Sequence, residues 1–145
     1  MPSFKIFDIA SSGMAAQTVR LNLVASNLAN AETVSSSINN TYRSRQPVFA
    51  AQLKDALGQR VDKGQADEAV GVEVLGVVES QTPMRVEYVP SHPLANKDGY
   101  IFRPNVNPIE ELTNMMSASR SYQDNTEVVN TAKQLMLQTL RMGQA

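Results

Sequence analysis

The stretch SHPLANKDGY, residues 91 to 100, sets the lone histidine, His92, between Ser91 and Asp98. These are the residue types of a nucleophilic hydrolase, in which hydroxyl, imidazole and carboxylate line up before an oxyanion hole. Close neighbours along a turn do not converge in that way, and His92, flanked by Ser91 and Pro93, reads as a turn residue. NKDG has the outline of a calcium loop. A loop of about twelve residues starting at Asn96 would, however, end on Asn107 where a bidentate glutamate is needed. With no cysteine there are no thiolate ligands, thiol nucleophiles or disulfides. Gly58, Gly64, Gly71 and Gly76 are scattered and do not form a phosphate-cradling loop opening a helix. The expectation is a non-enzyme with no catalytic residue, metal or cofactor. A periplasmic hydrolase remains the rival from another class, and its turnover would depend on His92.

Charge excludes further classes. Thirteen basic and 14 acidic side chains leave a net charge of -1 over 145 residues, so no basic footprint for nucleic acid exists. No apolar run approaches the roughly 18 residues of a membrane-spanning helix, and no membrane insertion is expected. MPSFKIFDIASSGM has no basic stretch followed by an apolar core and a cleavage site, so no cleaved Sec signal is expected.

A second polar cluster is harder to dismiss. In LNLVASNLANAET, residues 21 to 33, an amphipathic helix runs into Ser26, Asn27 and Asn30. Asn tolerates the left-handed conformation that ends a helix, so Asn30 is read as the stop. Ser26 and Asn27 both donate and accept, which suits tight contact with neighbouring backbone.

The helix carrying this cluster has a seam. Phe7, Ala10, Met14, Gln17, Leu21, Val24 and Leu28 alternate steps of three and four, as along one side of a coiled coil. A second long helix has a sharp start in NVNPIEEL: Asn107 as N-cap, Pro108 in the first turn, and Glu110 placed to close a capping box. No proline or glycine follows until Gly143, giving a helix of about 35 residues, roughly 50 Å long. Its seam is Met115, Ala118, Tyr122, Asn125, Val129, Ala132, Met136 and Thr139, widened by Leu112, Leu135 and Leu140. Gln17 and Asn125 are polar members suited either to setting register or to the solvent-facing edge of a wide stripe.

Between the helices, VSSSINNTYRSRQP reads as a loop, and Val48 to Leu57 as helical or extended. AVGVEVLGVV and MRVEYV suggest a small β region from about Val70 to Val89, followed by turns and a short YIF. The fold class is therefore α+β: long N- and C-terminal helices forming an antiparallel coiled-coil-like pair, with a small β-rich insert. The expected parts are residues 1–33, 34–103 and 104–145. Two helices packed on each other leave half of each apolar surface wet, so other subunits are expected to cover the rest.

Three blocks then carry a resemblance: SNLANAET, YRSRQPVF, and HPLANKDGYIFRPNVNPIEELTNMMSASRSYQDNTEVVNTAKQLMLQTL, with FDIASSGMAAQ near the start. Together they span nearly the whole chain, which resembles the bacterial flagellar rod and hook axial proteins, most closely the proximal-rod type. Here Ser44 interrupts a basic run that is more continuous in the family. The resemblance implies a structural subunit of the periplasmic drive shaft that transmits torque, with its terminal helices in an inner tube. It implies export by the flagellar type III apparatus, and as partners FlgB, FlgF, FlgG, FliE and further copies of the chain. A sister rod or hook-type subunit is the nearer alternative. The residues expected to make assembly contacts are Phe7, Met14, Leu21, Val24, Asn27, Leu28 and Asn30 in the first helix. In the second they are Met115, Tyr122, Val129, Met136 and Leu140. Leu21→Asp places a charge in a dry helical interface at a cost of several kcal/mol, and cells carrying it are expected to lose flagella, as counted by electron microscopy.

Overall fold

The computed structural model describes residues 2–54 and 68–143. Helix α1 spans Pro2–Asn30 and α2 spans Pro108–Met142. Between them in sequence lie one 3-10 turn, Ile38–Asn40, and four strands: β1 Arg45–Lys54, β2 Glu68–Glu79, β3 Arg85–Tyr88 and β4 Tyr100–Arg103. β1 pairs with β2, and β3 with β4. The class is α+β, with two long helices around a small β insert. Strand β1 resolves the helical-or-extended choice for the stretch from Val48 in favour of strand as far as Lys54; its remainder, 55–57, lies outside the described residues, as do Gly58 and Gly64.

Helix α2 begins and ends where local chemistry dictates. The Asn107 side-chain oxygen accepts from the Ile109 N–H at 3.1 Å, and its carbonyl accepts from Glu111 N–H at 3.0 Å, satisfying two donors that a bare helix start would leave open. Gly143 N–H donates to the Thr139 carbonyl as the helix stops. The expected capping box does not close. Glu110 is exposed, and among the described residues its carboxylate makes no hydrogen bond. The adjacent Glu111 is the buried acid, 5% exposed. Asn30 does end α1, yet no described residue other than glycine has a positive φ. The expected left-handed stop is replaced by a tighter turn, Ala31 N–H to Leu28 O. Asn30 Nδ2 folds back onto the Ser26 carbonyl, and the Asn30 carbonyl accepts from Thr33 N–H and Oγ1.

The chain forms two compact units. The first draws on Met1–Val19, Val48–Gly76 and Ala118–Ala145, the second on Arg20–Pro47 and Val77–Ser117. Among the described residues of the first unit, the buried hydrophobics are Ala10, Ala16, Ala118 and Ala132, every one an alanine. Small side chains let helices approach closely: a Cβ added at Gly13 would lie 2.9 Å from Asn125 Nδ2. Next to it, the Thr126 hydroxyl, which donates to the Tyr122 carbonyl at 3.0 Å, lies 3.5 Å from Met14 Sδ. Polar Gln17 has a buried Oε1 with no hydrogen-bond partner. Ser12 joins α1 to β2: its hydroxyl donates to the Ile9 carbonyl at 2.7 Å and accepts from Val72 N–H at 3.1 Å. Gly71, at φ +152, makes room, since a Cβ there would stand 2.5 Å from Ser12 Oγ.

The second unit has a more ordinary core of Val24, Ala31, Met84, Ile101, Pro104 and Val106. β3 and β4 pair antiparallel, Arg85 opposite Arg103 and Tyr88 opposite Tyr100, and Ser35 bridges Phe102 on the other side of β4. Arg103 ties the hairpin together, with Nε 3.1 Å from Glu87 and Nη1 2.8 Å from Glu32. In the connecting turn Asn96 Oδ1 accepts from the N–H groups of Asp98 and Tyr100, and Gly99 adopts φ +82. There the chain passes under the edge-to-face pair of Tyr88 and Tyr100, whose centroids are 5.1 Å apart. A Cβ on Gly99 would meet Tyr88 Cε2 at 2.8 Å and Pro90 Cβ at 3.2 Å. Gly99→Ala combines a disfavoured dihedral with a clash, for an expected loss of about 1–3 kcal/mol. Urea unfolding followed by tyrosine fluorescence measures it, and an unchanged midpoint would contradict this account of the turn.

Candidate assembly site

Within the second unit, residues far apart in sequence meet at one buried amide. Asn27, 1% exposed, projects from α1 toward the start of β1. Its Nδ2 donates to the Arg45 carbonyl at 2.9 Å and to Glu111 Oε2 at 3.1 Å, with a longer approach of 3.4 Å to Ser44 Oγ. Its Oδ1 accepts from Tyr42 Oη–H at 2.8 Å and Arg45 N–H at 2.9 Å. Two hydrogens and two lone pairs are thus all engaged, the full capacity of a side-chain amide. Tyr42 spends its single proton on Asn27, so Ser26, 3.2 Å from the phenol, is the donor of that pair.

A second asparagine continues the grip. Asn105 Oδ1 accepts from Ser44 N–H at 2.8 Å, and its Nδ2 donates to the carbonyls of Thr82 at 2.8 Å and Ser80 at 3.3 Å. The Ser80 N–H closes the circuit on the Ser44 carbonyl at 2.8 Å. The backbone at Ser44 and Arg45 is therefore held by α1 and by the segment leading into α2. The Glu111 carboxylate, on the first turn of α2 where the helix dipole favours an anion, is anchored by Asn27. Ser44 is 5% exposed, so the residue that interrupts the basic run sits in the hub itself. Beside it Arg45 lies 5.5 Å from the Tyr42 ring and 3.4 Å from Glu79. A polar cleft of about 490 Å³ opens there between Asn30, Asn39, Asn40, Tyr42, Arg43 and Glu79.

The other residues expected to make assembly contacts are placed unevenly. Val24 is buried; Phe7, Met14, Leu21, Leu28, Asn30, Met115, Val129 and Met136 are half-buried; Tyr122 and Leu140 are exposed, the latter at 64%. Asn27 makes all its hydrogen bonds within the chain, and Asn30 bonds back to its own helix. Sequence reading did not find the roles of Tyr42, Ser44, Asn105 and Glu111, whose partners lie up to 84 positions away. At the stretch considered for catalysis, His92 Nδ1 accepts from Leu94 N–H at 3.1 Å. Among the described residues neither Ser91 nor Asp98 hydrogen-bonds to the imidazole.

The three sequence blocks that carry the resemblance are the ones that meet at this hub: SNLANAET brings Asn27, YRSRQPVF brings Tyr42 to Arg45, and FRPNVNPIEEL brings Asn105 and Glu111. Comparison with known proteins agrees. Residues 7–35 match the family model described as flagella basal body rod protein, and residues 97–142 match the flagellar basal body rod FlgEFG protein C-terminal model. The flagellar basal-body rod protein FlgC of Salmonella typhi is 47% identical over 144 residues, covering 99% of this chain and 100% of the relative. The FlgC of Yersinia enterocolitica is 44% identical over the same shares. That of Borreliella burgdorferi is 30% identical, covering 99% of each chain.

The chain belongs to the FlgC family of flagellar basal-body rod proteins. It is a structural component of the rod that serves motility, not an enzyme. No described helix is long and apolar enough to cross a membrane. In this family member the hub holds the entry to β1 and the first turn of α2 against α1. Asn27→Ala strands Arg45 N–H, the Arg45 carbonyl and the Glu111 carboxylate, and is expected to cost about 2–4 kcal/mol. Urea denaturation of the purified chain tests this; a loss below that of an exposed-site control such as Asn39→Ala would refute the hub's importance.

Proposed function

We propose that this rod protein is a proximal-rod subunit, part of the periplasmic shaft between the membrane-embedded rotor and the distal rod and hook. It transmits torque through many subunit contacts and reaches its place through the flagellar type III export apparatus without a cleaved signal. Further copies of itself and FlgB, FlgF, FlgG and FliE are its partners. Residues 1–33 and 104–145 serve as the axial core, where the helices act as an antiparallel coiled-coil-like pair, and residues 34–103 form the outer part.

One observation carries the reading. Among the described residues of the first unit only alanines are buried hydrophobics, while Phe49, Leu75, Tyr122, Leu135 and Leu140 lie exposed and Phe7, Met14, Val129 and Met136 are half-buried. Burying a leucine removes it from water for roughly 1.5–3 kcal/mol, a gain this unit forgoes when alone and recovers when neighbours cover it. The order of contacts supports the antiparallel sense. In the first unit Gly13 meets Asn125 and Met14 meets Thr126, while Ile6 shares a groove with residues up to Leu135. In the second, Arg20 donates to Asn114 at 3.0 Å and Asn27 to Glu111. In each, higher numbers of α1 face lower numbers of α2.

Tyr122 tests the reading because it is exposed. Tyr122→Asp is expected to leave the circular dichroism of the isolated chain unchanged but to abolish swimming in soft agar when it replaces the native gene. Full swimming with Tyr122→Asp would count against an axial contact there.

A further inference from the structure

The polar cleft beside the hub holds a cation that nothing in the chain neutralises. Ser44 is buried in the hub, and the arginines on either side of it both line the cleft. Arg45 is engaged: its guanidinium lies 3.4 Å from Glu79 Oε1 and 5.5 Å from the centre of the Tyr42 ring. Arg43 is half-buried, yet among the described residues it forms no hydrogen bond, ion pair or ring contact, and none of its nitrogens is sealed from water. The hydroxyl protons around it are already spent. Thr33 donates to the Asn30 carbonyl, Ser35 and Thr41 to the Ser37 carbonyl, and Tyr42 to Asn27. The donors left over are chiefly the Arg43 guanidinium and the exposed carboxamides of Asn39 and Asn40, which make no hydrogen bond among the described residues.

We propose that this cleft binds the side-chain carboxylate of an acidic peptide segment, an aspartate or glutamate presented by another protein. No described carboxylate of the chain itself pairs with Arg43, so the acid comes from outside. The planar fork of a guanidinium matches the two oxygens of a carboxylate. Beside it, the Asn39 and Asn40 amides pair with the flanking peptide groups, whose donors and acceptors they mirror. Charge selects the class of anion. Two arginines against one glutamate leave the cleft with one positive charge in excess, which a single carboxylate neutralises. A phosphate brings more negative charge and meets Glu79 in the same space, where like charges repel. The volume, about 490 Å³, falls within the roughly 300–1,000 Å³ of small-ligand sites: room for one side chain and the peptide on either side of it. The walls are the loop after α1 and the entry to β1, so the site stands apart from any packing of the helices and does not rest on the axial reading.

NMR titration of the isotope-labelled full chain tests the site with three probes: a glutamate flanked by glycines and blocked at both ends, its glutamine counterpart, and inorganic phosphate. The glutamate peptide is expected to shift the side-chain N–H signals of Arg43, Asn39 and Asn40 saturably, and to bind at least about tenfold more tightly than either of the others. Arg43→Gln is expected to weaken that binding by about tenfold or more. It leaves the urea midpoint unchanged, because the guanidinium holds nothing inside the chain. Four results would each overturn the site: no saturable shift, a glutamine peptide or phosphate that binds as well, an Arg43→Gln chain that binds like its parent, or a lowered midpoint in that variant. A soluble peptidoglycan stem peptide that bound about tenfold more tightly than the glutamate peptide would also overturn it, by moving the ligand from a protein to the cell wall. Each of these results leaves the rod reading standing.

Discussion

The carboxamide of Asn27 is the point on which the second unit is organised. An amide buried away from water is costly unless both its donors and both its acceptor sites are used. Tyr42, Arg45 and Glu111 together supply all four. That arrangement fixes where the chain leaves the loop and enters β1, and it draws the first turn of α2 toward α1. Because each partner is satisfied by the same side chain, the hub is specific as well as stabilising. An apolar residue of equal size would fill the space without dictating the path of the backbone.

The two units differ in how they are held. The second combines this saturated polar hub with a core containing Ile101 and Val106. Among its described residues the first leans on alanines and a glycine, with several larger apolar groups, Leu75, Leu135 and Leu140 among them, left exposed. This suits a component whose final shape is reached in company: the small residues allow the helices to lie close, and the large ones are left for whatever covers them. Gln17, with its unpartnered buried oxygen, is a cost carried inside the same seam.

How much could be read in advance follows from the range of the forces involved. The ends of α2 were legible because Asn107, Pro108 and Gly143 act over a few residues, as caps do. The seams were legible as faces, since periodicity reports direction; it does not report depth. Ala10, Ala118 and Ala132 went inside while Tyr122 and Leu140 on the same stripes stayed out, because depth depends on the partner surface. The hub was legible only in part. Asn27 stood out as a small amide in an unusual place, but nothing local in YRSR or PIEE announces that Ser44 and Glu111 turn inward. Glu110 is the residue that spacing offers for a capping box, but its side chain stays exposed, while the neighbouring Glu111 turns inward to accept from Asn27. β1 was ambiguous because its apolar run lacks the strict alternation of a half-buried strand.

The hydroxyl of Ser12 has a further consequence for the β1–β2 ribbon. A two-stranded ribbon has open edges, and an open edge carrying valines and leucines invites templated strand addition of the kind that seeds fibrils. At Val72 the N–H that would donate to an intruding strand already donates to Ser12 Oγ, and Gly71 lets the helix come close enough to block the approach. The same helix turn therefore acts as a guard against misassociation, shielding this part of a sticky ribbon in a protein built to polymerise.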